Sequence, residues 1–351
     1  MFEISQKQQK ILELFLRNNL LSSSEVYDHL SKEGEETSLV TIKRELSHMA
    51  TLGLLIASGQ GRSRAYSVSV LGRIFSKVDA NSYNVVEPDK RYGLANFNFE
   101  LLPSFPSEIF ASAELAALEQ STDEYRKRTA NLPMAIQKKE LERLIIELSW
   151  KSSKIEGNTY TLLDTEKLIL EHKEAPGHDK KEAKMILNHK EAFEFVHNNK
   201  KEFTSLTRTN LEQLHGLLIK NMGVSAGLRQ KPVGIIGSKY RPLDNIHQIR
   251  EAVESLAAAI TRARTPYDKA LLCLVGISYI QPFEDGNKRT ARIMANALLL
   301  AHDCAPLSYR SVEEKDYREA TLVFYELNSI VPFKSIFIEQ YVFAAKNYAV
   351  K

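Results

Sequence analysis

The residues best suited to chemistry lie together in positions 281–292, Gln-Pro-Phe-Glu-Asp-Gly-Asn-Lys-Arg-Thr-Ala-Arg, between apolar runs at 267–280 and 292–302 that each predict a helix. Gly286 lets the backbone approach a ligand closely, and Asn287 is expected to cap the helix that follows. The unpaired N–H groups of such a helix start favour an anion. The stretch therefore predicts a binding site for a negatively charged group.

Charged side chains around this predicted helix start point to phosphate and metal. Arg289 and Arg292 are three residues apart, so they share one face and lean back toward the N-terminus. Asp285 adds a hard oxygen ligand of the kind that Mg²⁺ takes alongside phosphates. Gly-Asn alone is more often an ordinary helix corner with surface charges. Its combination with a carboxylate and two arginines favours a cradle for a polyphosphate and its metal.

The stretch resembles the signature of the Fic family (filamentation induced by cyclic AMP), which runs His-x-Phe-x-Asp/Glu-Gly-Asn-Gly/Lys-Arg-x-x-Arg. The matching positions are Phe283, Asp285, Gly286, Asn287, Lys288, Arg289 and Arg292. The first position departs from the pattern, because Gln281 stands where the family has its catalytic histidine. The resemblance implies a mainly α fold, a Fic-type helical bundle with a β-hairpin flap, over about residues 107–345.

Most Fic enzymes transfer AMP from ATP to a protein hydroxyl, so the resemblance implies ATP and Mg²⁺ as ligands. It assigns the metal to Asp285 and the nucleotide to Gly286, Asn287, Lys288, Arg289 and Arg292. An amide is not a usable base near neutral pH, so Gln281 lacks a contribution of about 10²–10⁴-fold. Weak or altered adenylyltransferase activity is the resulting prediction. Two alternatives stay open: Gln281 positions a hydroxyl or water for another reaction, or a base comes from elsewhere, although Glu284 is expected to point away.

An acidic residue at a predicted helix end suggests autoinhibition. Ser152-x-x-x-Glu156-Gly157 resembles the Fic inhibitory motif, Ser/Thr-x-x-x-Glu-Gly/Asn, on a helix over about 134–157. Without the signature, this glutamate would be a solvated helix end, where it opposes the helix dipole. The resemblance instead implies that Glu156 pairs with Arg292 and takes the place of the terminal phosphate. A carboxylate competes well with phosphate for a bidentate arginine.

Two further regions of the site are implied by the resemblance. Residues 229–242 alternate in polarity, carry Gly and Pro, and predict a β-hairpin that resembles the Fic flap. Such an edge can hold an extended segment of a protein target, with Ile235, Ile236 and Tyr240 as the contact residues. Tyr325 and Asn328 could border an adenine pocket, although a packed aromatic is the more common role for such a tyrosine.

Residues 1–75 predict a small separate unit, three helices followed by two strands, that resembles a winged helix-turn-helix. Its candidate DNA contacts are Lys43, Arg44, His48, Arg62 and Arg64. The unit contains nine Lys and Arg against eight Asp and Glu, so its net charge argues neither for nor against DNA. A protein-interaction role is the alternative. The second hypothesis for the whole chain is accordingly a DNA-binding regulator whose helical domain senses nucleotide or only dimerises.

The length, net charge and composition of the chain limit the classes of protein to which it can belong. The chain has 351 residues and a net charge of +3, so no global charge points to nucleic acid or membrane. Three parts are predicted: the winged unit at 1–75, a linker at 76–106 and the Fic domain at 107–351. His189, His197 and His215 lack metal-ligand spacing, and Cys273 and Cys304 are expected to be buried thiols. A cytoplasmic protein without a membrane segment is expected, and a homodimer is left open.

Overall fold

The computed structural model describes residues 4–350, with every side chain in that range except that of Arg62. Fifteen α-helices and three short strands occur in this described range, which confirms the prediction of a mainly helical chain. All three strands lie between residues 21 and 68. The 281–292 stretch lies deep in the helical part that follows them.

The first part of the chain folds around an apolar core of its own. Its elements are α1 (Gln6–Arg17), β1 (Leu21–Ser22), α2 (Ser23–Lys32), α3 (Leu39–Thr51), β2 (Leu55–Ser58) and β3 (Ala65–Val68). Ser5, Ser22 and Ser38 accept hydrogen bonds from the first turns of the three helices, so polar residues define where each helix begins. β3 lies between β1 and β2 and pairs antiparallel with both.

A larger helical bundle carries the 281–292 stretch. Its helices are α6 (Ser112–Thr129), α7 (Met134–Ile155), α8 (Leu162–Glu171), α9 (Lys180–Asn198), α10 (Arg208–Leu218), α11 (Ile246–Arg262), α12 (Pro266–Ile280), α13 (Asn287–Leu300), α14 (Glu314–Leu327) and α15 (Val331–Asn347). α12 and α13 form its centre and are buried along nearly their whole length. Helices that are apolar on every side are expected in such a position. The loop between these two helices is thereby held by the most rigid part of the fold.

The segment between the two parts packs against the bundle rather than floating. It contains α4 (Val70–Phe75) and α5 (Ala80–Val85). The carboxylate of Glu326 on α14 is completely buried and accepts hydrogen bonds from Tyr83 (2.7 Å), Arg91 (3.2 Å) and Ser238 (2.7 Å). One carboxylate thus joins the connecting segment, α14 and residues 219–245. Charge-assisted bonds to a buried carboxylate are among the stronger ones in proteins.

Residues 219–245 form an irregular segment, and the prediction of a β-hairpin there is wrong because this described stretch contains no strand. Its backbone instead follows the connecting segment: the Arg241 N–H donates to Ala95 O at 2.8 Å, and a single parallel bridge joins Arg241 to Asn96. Pro232 and Pro242 explain the difference, because proline cannot donate to a strand ladder.

Candidate functional site

The loop between α12 and α13 is shaped by two residues with left-handed backbone. Gln281 ends α12 with φ of 51°, and Gly286 is the N-cap of α13 with φ of 78°. Glycine adopts this conformation without the clash that a Cβ atom causes. The prediction that Asn287 caps α13 is therefore wrong. Gly286 holds the cap position, and Asn287 is the first helical residue.

Asn287 ties the loop together through its side-chain amide. Its Oδ1 accepts the Phe283 N–H at 2.8 Å, while its Nδ2 donates to Phe283 O at 2.8 Å and to Gln281 Oε1 at 3.0 Å. These bonds supply partners for loop groups that have no helical partner. The first N–H groups of α13 have no intrahelical acceptor, which is the usual condition for binding an anion.

The two arginines of α13 are buried and already oriented. Arg289 donates from Nη2 to Asp285 Oδ2 at 3.1 Å, and Arg292 donates from Nε to Ser152 Oγ at 2.8 Å. Nη2 of Arg292 also donates to the Ser152 carbonyl oxygen at 2.9 Å. Neither guanidinium group has to give up rotamer freedom when a ligand arrives, which favours binding.

Glu156, at the end of α7, covers the second arginine. Its Oε1 accepts from Arg292 Nη2 at 2.8 Å, and its Oε2 accepts from Lys288 Nζ at 3.1 Å. Burial opposes ionisation of this carboxyl, but the positive charges of Arg292 and Lys288 outweigh burial and lower its pKa. Glu156 is therefore ionised near neutral pH. A carboxylate with two cationic partners occupies a position that a phosphate oxygen could use.

Both polar atoms of the Gln281 side chain are engaged in hydrogen bonds within the protein. Its Nε2 donates to Ser278 O at 2.6 Å and to the Tyr325 hydroxyl at 3.4 Å, and its Oε1 accepts from Asn287. The residue is only 8% exposed. An amide held in this way contributes to the shape of the loop and supplies no proton acceptor.

Arg229 is a site residue that sequence reasoning missed. It is buried, and it donates from Nε to Gln281 O at 2.6 Å and from its backbone N–H to Pro282 O at 2.9 Å. It therefore anchors residues 219–245 on the loop. The only sequence signal was a basic residue at the start of the predicted flap, and surface lysines and arginines give the same signal.

His215 on α10 supports the loop from below. Its ring stacks on Phe283 with centroids 3.6 Å apart, and its Nε2 lies 3.1 Å from Asp285 O. Burial lowers the pKa of His215 to about 4, so the ring is neutral near pH 7 and Nε2 donates its proton to the carbonyl oxygen. The sequence predicted that His215 is a core or surface histidine and not a metal ligand. Its place on the buried face of α10, between Leu214 and Leu218, was the available signal.

Two adjoining clefts open above the loop, one of about 480 Å³ and one of about 160 Å³. The residues that line both are Glu156, Gly234, Gln281, Asp285 and Lys288. The smaller cleft is also lined by Glu284, so the expectation that Glu284 points away from the site is wrong. The preceding residue, Phe283, packs on His215.

Asp285 is the carboxylate best placed for a metal ion. Its side chain is 59% exposed and lines both clefts, while Arg289 and the Gly286 N–H contact its two oxygens from the protein side. The described residues contain no group of three or more His, Cys, Asp and Glu that could enclose a metal. Mg²⁺ characteristically needs only one or two protein carboxylates when phosphates and waters complete its shell. The site therefore fits a metal that arrives with a nucleotide.

Comparison with known proteins gives a consistent match. The Fic/DOC family matches residues 205–299, from just before α10 into the last turn of α13. "Protein adenylyltransferase Fic" of Nematostella vectensis is 26% identical over 203 residues, which are 56% of this chain and 48% of that protein. "Protein adenylyltransferase fic-1" of Caenorhabditis elegans is 23% identical over 184 residues, 51% of this chain and 36% of that protein.

Solved structures have a similar fold. Fic-1 from C. elegans superposes with a TM-score of 0.56 at 18% identity, covering 67% of this chain and 70% of the other. A Fic family protein from Desulfovibrio desulfuricans G20 gives a TM-score of 0.56 at 20% identity, covering 69% and 75%. Residues 205–299 are a Fic domain. This chain spans less than half the length of either of the two curated relatives above.

The matched Fic domain supplies only part of the site. It contains the 281–292 stretch, His215 and Arg229, whereas Ser152 and Glu156 come from α7, outside the match. The Arg292 pair therefore joins a Fic residue to a helix that a family match alone would not include. The bundle holds the two together because α7 packs against α13.

Residues 229–242 of the Fic domain reach the site, but not every residue singled out there faces it. Ile235 and Ile236 line the larger cleft, and Ile236 is 89% exposed. Tyr240 is buried and donates from its hydroxyl to Tyr279 O at 2.9 Å, so it holds the segment down and is not presented to a target. The exposed apolar tip is formed by Ile236.

The two candidate adenine-pocket residues have different positions. Tyr325 lines the larger cleft and contacts Gln281. Asn328 is completely buried, accepts a hydrogen bond from Asn98 at 3.0 Å and does not line the cleft. The structure therefore brings Tyr325 to the Fic site and assigns Asn328 to holding the connecting segment.

A third cleft, of about 520 Å³, lies on the first part of the chain, away from the Fic site. Lys43, Arg44 and Arg64 line it together with the start of α2. Among the described residues, none of the three is paired with a carboxylate. His48 is exposed on the same helix as Lys43 but does not line this cleft, and the side chain of Arg62 lies outside the described part of the structure.

In the described range of 4–350, no helix combines the length and the apolar content that a bilayer crossing requires.

Proposed function

We propose that this chain binds Mg²⁺·ATP, or a related nucleotide, in the two clefts above residues 281–292. The observation that carries the proposal is the buried, pre-oriented Arg292, whose guanidinium is held by Ser152 and covered by the carboxylate of Glu156. An arginine with no exposed surface and a displaceable anionic partner fits a phosphate ligand. The names of the Fic relatives support ATP as that ligand.

The role of each residue follows from its position. Asp285 would hold Mg²⁺, which neutralises phosphate charge when bound. The N-terminus of α13, at Gly286 and Asn287, would receive the transferred phosphate group, and Lys288 and Arg289 lie beside it. Arg292 would take the terminal phosphate. Such positioned charges account for most catalysis of phosphoryl-type transfer.

We further propose that Glu156 inhibits by competition. Its carboxylate and a terminal phosphate would use the same nitrogen of Arg292, so the nucleotide binds in its productive position only after Glu156 has moved. Ser152 keeps Arg292 in place throughout, because its two bonds to the arginine do not involve Glu156.

The proposed reaction is transfer of AMP to a protein hydroxyl, slowed because Gln281 supplies no base. Loss of a positioned base lowers rates by about 10²–10⁴-fold. The target would contact the exposed Ile236 and its neighbour Ile235, and Tyr325 would border the adenine.

Calorimetric titration with ATP and Mg²⁺ tests the binding proposal. We expect binding by the wild-type chain, tighter binding by Glu156→Gly, and loss of at least tenfold affinity in Arg289→Ala. The control is Arg310→Ala, because Arg310, like Arg289, pairs with a carboxylate but lines neither cleft. Absence of binding by both the wild-type chain and Glu156→Gly would refute the proposal.

A second candidate function is DNA binding by residues 1–75, for which we propose a winged helix-turn-helix. Lys43, Arg44 and Arg64 favour it, because they lie beside the N-terminus of α2 and none of them pairs with a carboxylate within residues 4–350. Cations and free N–H groups both suit phosphates. A defined duplex should bind with an affinity that falls steeply with salt. Replacing these three cations by Ala should flatten that salt dependence, and an unchanged slope would favour a protein-interaction role.

The proposed organisation is a winged unit at 1–75, a connecting segment at 76–106 and the Fic region at 107–351. The inhibitory helix lies within about 134–157 and the flap within about 229–242. We propose a cytoplasmic location, which the two buried, unpaired cysteines support. A homodimer is a further possibility that light scattering would test.

A further inference from the structure

The proposed transfer to a hydroxyl needs a proton acceptor that Gln281 does not provide, and few carboxylates line the clefts. Among the described residues, the carboxylates that line them are Glu156, Glu284, Asp285 and Glu314. Each can be judged by the contacts that already occupy it. A general base must keep a free lone pair and lie within hydrogen-bond reach of the attacking hydroxyl.

Three of these carboxylates are already engaged. Glu156 is held by Arg292 and Lys288, and Asp285 contacts Arg289 and faces the proposed metal. Glu314 is bonded to Lys151 and lines only the larger cleft, away from the start of α13. None of them combines a free oxygen with a position at the start of that helix.

Glu284 differs from the other three. Its side chain is 26% exposed and lines the smaller cleft with Gln281, Gly286 and Asn287, where the transferred phosphate would bind. Among the described residues, the cation paired with it is Lys231, with Nζ 3.8 Å from Oε1, which is longer than a hydrogen bond. Lys231 is 80% exposed, so the pair is weak and leaves the carboxylate oxygens available.

The position of Glu284 also suits the incoming hydroxyl. Val233 and Gly234, from the segment proposed to contact a target, line the smaller cleft together with Gly286 and Asn287 at the start of α13. A hydroxyl that enters along residues 229–242 therefore reaches Glu284 beside the phosphate site. The neighbouring Phe283 is fixed by stacking on His215, which limits the movement of the backbone at Glu284.

We infer that Glu284 is the general base of this chain, and that the reaction stays slow because a carboxylate is a weaker base than an imidazole at position 281 would be; the inference rests on the proposed transferase function. The target hydroxyl oxygen bonds to the α-phosphorus, and the bond from that phosphorus to the oxygen bridging to the β-phosphate breaks. Pyrophosphate leaves with the bonding electron pair. The hydroxyl proton passes to a carboxylate oxygen of Glu284 and then to water.

Pyrophosphate release tests the inference without a known target, because transfer to any hydroxyl, water included, frees pyrophosphate. All variants are made in the full chain carrying Glu156→Gly, so that nucleotide can enter. Glu284→Gln should lower the rate of pyrophosphate release by at least about tenfold, a part of the contribution of a well-matched base, and leave the ATP dissociation constant within about twofold. Glu284→Asp keeps a carboxylate and should retain part of the rate. The matched control Glu254→Gln, an exposed glutamate on α11 outside both clefts, should change neither quantity.

The pH profile separates a base from a structural residue. Gln281→His should add a rise in rate between about pH 5.5 and 7.5, the range in which imidazole loses its proton, and should restore the rate of Glu284→Gln. A merely structural role for Glu284 predicts no such rescue.

The possible outcomes distinguish this inference from the proposed function. If Glu284→Gln binds ATP and releases pyrophosphate at the parental rate, Glu284 is not the base. If the parental Glu156→Gly chain binds ATP and releases no pyrophosphate, the inference also fails, while the nucleotide site stands. If that parental chain binds no ATP, the proposed function fails first.

Discussion

Replacing Glu156 by Gln tests the competition between this carboxylate and a phosphate. The substitution keeps the shape of the side chain and removes its charge, so the ion pair with Arg292, 2.8 Å long in the wild type, becomes a hydrogen bond between a cation and a neutral amide. The amide has one acceptor oxygen, so the 3.1 Å contact to Lys288 loses its acceptor when that oxygen stays on Arg292. A nucleotide must displace these contacts before it can use Arg292.

The expected gain in affinity follows from the strength of the displaced bonds. A hydrogen bond to a charged group contributes about 1.5–3 kcal/mol, whereas a neutral one contributes about 1 kcal/mol. The difference, about 0.5–2 kcal/mol, corresponds to roughly 2–30-fold tighter binding of ATP. The variant should also be less stable without nucleotide, because buried Arg292 loses its anionic partner. Lower stability together with tighter binding is therefore the expected signature.

Calorimetry with Mg²⁺·ATP and urea unfolding measure the two effects. Glu147→Gln is the matched control: Glu147 lies on the same helix and pairs with Arg310 at 2.9 Å, but lines neither cleft. It should lower stability and leave ATP affinity unchanged. Equal ATP affinity in the wild type and Glu156→Gln would show that Glu156 does not compete with the nucleotide.

Three further predictions follow from individual contacts. Arg292→Lys, made in the Glu156→Gln chain, should weaken ATP binding by at least tenfold in calorimetry, because lysine lacks the planar fork. The pKa of His215 is about 4 in the folded chain and about 6.5 when unfolded. Its stabilising effect is therefore complete above pH 6.5 and is lost as the pH falls toward 4. Urea unfolding should show a loss of about 3 kcal/mol over this range, and His215→Gln should remove that pH dependence. Glu326→Gln should destabilise the chain by about 3–5 kcal/mol in urea unfolding, because Arg91 would keep a buried charge without its carboxylate.

Each of these predictions has its own control. Arg310→Lys should leave ATP affinity unchanged, and a similar loss there would mean that Arg292 acts only through stability. The exposed His48→Gln should leave the pH dependence of unfolding as it is, and an equal change would remove the assignment to His215. Exposed Glu339→Gln should alter stability by less than about 0.5 kcal/mol; a Glu326 variant that behaves likewise contradicts the buried network.

The helical framework was predictable from sequence because its signals are local. The run at 267–280 became α12 (Pro266–Ile280), and the prediction of a mainly helical chain is confirmed. Capping residues and apolar periodicity fix such elements independently of distant contacts. The family resemblance likewise led to the loop that the Fic/DOC match includes.

Other features depend on contacts between distant residues, which a single sequence does not encode locally. Asn287 has the side chain of a cap, yet Gly286 takes the cap and Asn287 bonds the loop. The predicted hairpin is absent because the described residues 219–245 form no strand ladder of their own and bond in part to the connecting segment and to Glu326. Glu284 lines the smaller cleft next to Phe283, which stacks on His215 from a distant part of the sequence.

If the nucleotide site is intact and lacks only a histidine at position 281, placing histidine there should speed AMP transfer without changing ATP binding. Mass spectrometry after incubation with Mg²⁺·ATP would measure AMP attached to the chain itself in Glu156→Gly and in Glu156→Gly with Gln281→His. We predict much faster AMP attachment in the double variant, with similar ATP affinity in the two. Equal attachment in both would contradict the claim that Gln281 limits the reaction, and loss of ATP binding in both would contradict the site itself.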